Sequence, residues 1–122
     1  MTRAVLDRPQ VLSADTLKNE KVVNAAGDNL GNIKDYMIDL DTGFVAYCVL
    51  SFGGFLGMGD KLFAVPWKAM TLDTDRQCFV LNVAKERLKI APGFDKDNWP
   101  GTQDRTFQTE VYRFYNVRPY WE

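Results

Sequence analysis

The chain has 122 residues, 46% of them apolar and 25% charged, and it contains no histidine. That length suits one domain with its own core, needing neither metal nor disulfide to fold. Its 15 basic and 16 acidic residues argue against phosphate-driven binding of DNA, and without an imidazole histidine-based triads and His-ligated zinc are excluded.

Residues 1–12 mix charge, proline and scattered aliphatics and read as a flexible lead-in. They hold no apolar core of a secretory signal, so a cytoplasmic location is expected. Ser13 can cap a short turn over 13–17 through its hydroxyl. Val22 and Val23 open the first of several short apolar runs, closed by Gly27, Asp28 and Asn29, which tolerate positive φ. A second run covers 33–40 and ends in a turn at Asp41, Thr42 and Gly43, where Asp41 is expected to bond the backbone. The run 44–52 follows, then a glycine-rich bend at Gly53, Gly54, Gly57, Gly59 and Asp60. Residues 62–65 form the next run, stopped by Pro66. After a turn at 73–76 comes the run 78–83, and residues 84–89 suit a short helical turn. Short β-type runs at this spacing predict a small barrel or sandwich.

The run 44–52 is apolar on both faces. Phe44, Ala46, Cys48, Leu50 and Phe52 alternate onto one side, and Val45, Tyr47 and Val49 onto the other. Such a strand must be covered twice, by the interior and by either the chain's own C-terminal segment or a second copy of the chain. Residues 91–101 read as a loop anchored by Phe94 and Trp99. Over 104–116, Phe107, Val111, Phe114 and Tyr115 fall at helical spacing, with Tyr112 and Arg113 nearer the opposite side. Tyr120 and Trp121 extend this aromatic arm, which is expected to dock on a barrel. The predicted interface therefore comprises Phe44, Val45, Tyr47, Val49, Phe107, Val111, Phe114, Tyr115, Tyr120 and Trp121.

No motif carries catalysis. The glycine-rich bend fails the phosphate-loop pattern because Asp60 follows Gly59, and it fails the dinucleotide pattern because Leu62 stands where a third glycine belongs. Asp39, Asp41 and Gly43 start like a calcium loop, but Leu50 occupies the position of the bidentate glutamate. Cys48 and Cys78 lie inside apolar runs and are expected to be core residues, not a disulfide. No cofactor and no metal are expected, and the protein is expected not to be an enzyme. The apolar stretch 44–59 is too short for a membrane span. Aromatics near Arg113 and Arg118 suit packing or a protein interface better than stacking on RNA.

Val22, Val23 and Asn24, then Gly27, Leu30, Gly31 and Ile33, then Met37, Asp39, Thr42 and Gly43 resemble the PRC-barrel domain family. The resemblance continues through Tyr47, Val49 and Leu50, then Gly57, Gly59, Asp60, Pro66 and Trp67, and on to Leu81, Asn82 and 91–95. It covers about 13–100, with 101–122 as a C-terminal arm holding a short amphipathic helix. It implies a mainly β fold, a small six-stranded barrel shared with the photosynthetic reaction-centre H subunit and a ribosome maturation factor, where the barrel serves chiefly as an interaction module. Because the H subunit has a membrane helix before its barrel and the ribosome factor has a separate RNA-processing domain, neither partner transfers to this chain. The expectation is a protein-interaction module, a homodimer by preference. The alternatives are a ribosome-associated factor binding ribosomal protein or RNA, a small-ligand or metal sensor using the glycine-rich bend, and a reaction-centre role by analogy alone.

Overall fold

The apolar runs become strands where their alternation meets a neighbour's. The computed structural model describes residues 11–52, 61–101 and 105–122. The glycine-rich bend and nearly all of the lead-in therefore lie outside the described residues. Ser13 caps α1 (Ala14–Leu17), its Oγ accepting from the Thr16 N–H at 3.0 Å. The strands are β1 (Lys21–Val23), β2 (Asn29–Ile38), β3 (Val45–Ser51), β4 (Lys61–Val65), β5 (Met70–Asp73), β6 (Cys78–Leu81) and β7 (Gly93–Asp95). Two helices follow in the second half, α2 (Lys85–Leu88) and α3 (Arg105–Phe114).

All seven strands form one sheet in the order β5-β6-β1-β2-β3-β4-β7. Pairing is antiparallel except between β1 and β6. Consecutive β4 and β5 stand far apart in this order, joined only by a 3-10 turn, Trp67–Ala69. In a flat sheet they would be separated by about 24 Å at the usual strand spacing. The connecting residues reach roughly 18 Å when fully extended. The sheet must therefore curl, and its concave side closes on a core that includes Val22, Ile33, Leu50, Phe63, Phe79 and Leu88. Trp67 seals the crossing with its ring 5.7 Å from that of Phe79. Among the described residues no ladder joins β5 to β7, so the sheet is a rolled one without a hydrogen-bonded seam.

This corrects the expected strand count from six to seven. β5 alternates apolar and polar residues from Met70 to Asp73, but four residues are too short a run to carry a strand signal alone. β7 lies where a loop was expected: its pairing with β4 is dictated by Phe94 against Leu62 and by Gly93, whose missing side chain lets the Leu62 carbonyl approach. Phe94 and Trp99 do anchor this segment, with rings 5.1 Å apart. Gly31 has a stricter requirement. Its φ is +128°, and a Cβ there would overlap the Ser51 carbonyl oxygen. Cys48 and Cys78 are free and buried, as their settings predict.

Candidate interaction surface: the hairpin end and the aromatic arm

The β2–β3 hairpin end is organised by Asp39, not by Asp41 as the turn chemistry suggested. The Asp39 Oδ1 accepts from the Asp41 N–H at 2.9 Å and the Thr42 N–H at 3.3 Å, and Gly43 adopts φ +78° to let the chain return. Asp39 stands one residue before the loop proper, which puts its carboxylate over the N–H groups that follow. Three apolar side chains are left in solvent at this end: Leu40 is 94% exposed, Phe44 56% and Ile38 48%.

Past the turn, β3 carries a bulge. Ala46 is the extra residue between the pairs Ile38–Val45 and Met37–Tyr47. Strict alternation therefore fails at its start. Ala46 joins Tyr47 and Val49 on the outer, convex side, while Val45 packs with Cys48, Leu50 and Phe52 against the interior. The expected two-sided strand is present, with its faces re-sorted by one residue at the bulge.

The arm covers the outer side in cis. On α3, Val111 and Tyr112 are buried against Tyr47, Val49, Leu62 and Ala64. Tyr112, expected nearer the opposite side, is 3% exposed, and its hydroxyl donates to the Ala46 carbonyl at 2.6 Å. The helical phase was set by Phe107 and Phe114, which flank the contact; the buried stripe runs through Gln108, Val111 and Tyr112. Phe107 meets the Tyr47 ring edge-on at 6.0 Å. Phe114 leaves this cluster for the main core, where the Arg87 guanidinium lies 4.2 Å from its ring. Tyr115 touches both clusters, and its hydroxyl, like Gln108 Oε1, is enclosed without a partner among the described residues.

The helix stops at Asn116 in the left-handed region, φ 56°. The Val117 N–H returns to the Tyr112 carbonyl at 3.0 Å and the Asn116 N–H to Arg113 at 3.1 Å, the paired bonds of a Schellman ending. That reversal sends the last residues back along the sheet. Tyr120 then donates its hydroxyl to Asp39 Oδ2, tying the tail to the hairpin end. This bond, followed by the turn N–H groups, holds the Asp39 carboxyl below its ordinary range; burial first, then the bond to Asp39, pushes the Tyr120 phenol up. Phe44 meets the Tyr120 ring edge-on at 6.1 Å, and the Arg105 guanidinium lies 4.1 Å over Trp121.

Of the predicted interface residues, Tyr47, Val49 and Val111 are thus interior to the folded chain. Val45, Phe107, Phe114, Tyr115, Tyr120 and Trp121 are partly covered, and Phe44 is exposed. Asp39, Arg105, Gln108 and Tyr112 fall outside the predicted interface; the spacing of Asp39 to the turn and the helical phase of Tyr112 are the signals the sequence offers. Between hairpin end and arm lies an open cavity of about 480 Å³ whose lining includes Met37, Asp39, Asp41, Tyr47, Arg105 and Gln108. Among the described residues no three metal-ligating side chains cluster, and no helix is long and apolar enough to cross a membrane.

A rolled, mainly β sheet with a helical arm laid over its outer side defines a small, mainly β domain. The chain belongs to the PRC-barrel domain family, whose model matches residues 9–88. Among curated proteins none matches the chain.

Proposed function

We propose that the protein is a non-enzymatic interaction module that meets its partner through the β2–β3 hairpin end. The observation that carries this reading is the exposure of Ile38, Leu40 and Phe44 together, beside a tail that pins the same loop through Asp39. Exposed apolar groups that sit together on a rigid loop favour association over solubility. Membership of the PRC-barrel family supports a generic interaction role. Self-association belongs to the same reading. Because the arm covers the outer sheet face in cis, a homodimer has the hairpin end as its apolar contact.

Sedimentation across a concentration series, with Leu40→Ser and Phe44→Ser as variants, tests this. A dimer dissociated by either substitution supports self-association. A monomer that captures another protein, and loses it on either substitution, supports a heterologous contact. Association or capture indifferent to both substitutions overturns the reading.

A further inference from the structure

We infer that the cavity between the hairpin end and α3 receives a basic side chain, an arginine or lysine carried on an apolar segment of a partner protein. This rests on the interaction reading above and names the chemistry that reading leaves open. The cavity, about 480 Å³, exceeds what one side chain needs, and its wall is two-toned. Met37 and Tyr47 are apolar, and Leu40 stands almost fully exposed at the rim, so a long aliphatic stem finds cover on its way in. Asp39 and Asp41 offer two carboxylates against the one guanidinium of Arg105, leaving the lining negative by one charge.

That guanidinium is already engaged, lying over the Trp121 ring at 4.1 Å. Asp39 stays ionised because the Tyr120 hydroxyl and the turn N–H groups bond its charged form. Gln108, 9% exposed, also lines the cavity, and its Oε1 has no partner among the described residues. An amide oxygen can only accept, so its lone pairs suit an entering N–H donor and not an anion. An anionic group would meet both carboxylates first, and a purely apolar one would strip water from them without replacement. A cation on a greasy stem satisfies stem wall and carboxylates together.

The test is an amide-resolved NMR titration of the full chain with three acetylated, amidated tripeptides: Leu-Arg-Leu, its citrulline isostere Leu-Cit-Leu, and Leu-Glu-Leu. The arginine peptide should shift the amides of 38–41 and 105–108 saturably. The neutral isostere should bind about 1.4- to fivefold more weakly, the range expected when one partly exposed charge pair is lost. Asp41→Asn should produce a similar loss with the arginine peptide, since its side chain is exposed and only its backbone N–H serves the turn. An unchanged melting temperature of that variant separates lost recognition from lost folding. Equal binding of all three peptides, shifts confined elsewhere, or an indifferent Asp41→Asn overturns the inference. If it falls while hairpin variants still abolish association, the basic chemistry alone is wrong; if both fall, the interaction reading falls too.

Discussion

One buried hydroxyl ties the arm to the sheet beside its apolar contacts, and removing it has a size that follows from the structure. Tyr112→Phe keeps the ring among Tyr120, Trp121 and the outer side of β3 but deletes the donor to the Ala46 carbonyl. Ala46 is the extra residue of a bulge, and the β3–β4 ladder begins only at Cys48, so the regular sheet offers this carbonyl no replacement. With Tyr112 3% exposed and Ala46 5% exposed, water does not reach the gap freely. An acceptor stranded in this way costs about 1–3 kcal/mol. For a domain of this size urea slopes run about 1–3 kcal/mol per molar, so the unfolding midpoint should fall by roughly 0.5–1.5 M at an unchanged slope. Tyr120→Phe is the control: its acceptor, Asp39, is open to solvent, so water takes the place of the hydroxyl and the midpoint should move less. A Tyr112→Phe midpoint indistinguishable from the parent, or a larger shift from Tyr120→Phe, would refute the assignment of the anchor.

Other outcomes follow from the same contacts. Gly31→Ala should unfold the domain or leave it insoluble, because the added methyl collides with backbone at Ser51; a soluble variant with native melting would contradict the close approach. Asp39 contributes stability that is present above its unfolded value, about pH 4, and is lost as pH falls through its depressed folded value. The stability gap between the parent and Asp39→Asn should therefore narrow in acid, and a gap constant from pH 7 to 3 counts against the latch. Cys48 is buried and its thiol is pushed up by burial, so alkylation at pH 8 should wait for unfolding, whereas labelling of the native chain would show the core to be open.

How much of this was readable beforehand depended on whether the signal was local. The Ser13 cap, the turn at 73–76 with Asp73 bonding the N–H groups of Asp75 and Arg76, and the two greasy faces of β3 lie within a few residues of their cause. β7 does not. Three residues with one buried side chain make a strand only because β4 is there to pair with them. The bulge at Ala46 is likewise invisible in alternation, since it arises from register against Met37 and Ile38. Tyr112 falls on the other side of its helix by spacing alone because Phe107, Val111, Phe114 and Tyr115 leave the phase open by about one position, and the sheet beneath selects Val111 and Tyr112. The cavity draws on two stretches far apart in sequence, 37–47 and 101–120, and has no sequence signature.

The parallel ladder between β1 and β6 carries a further implication, for time and not for energy. Lys21 pairs with Cys78, so this ladder closes a loop of more than fifty residues. Domains dominated by such distant pairings fold in milliseconds to seconds, not microseconds. A ribosome extending this chain would hold an unfinished sheet, its β1 edge unpaired, until the residues of β6 had cleared the exit tunnel. The arm follows β6 in the chain, so the outer apolar side of β3 is bare throughout that interval. Truncation anywhere before α3 would make that vulnerable interval permanent.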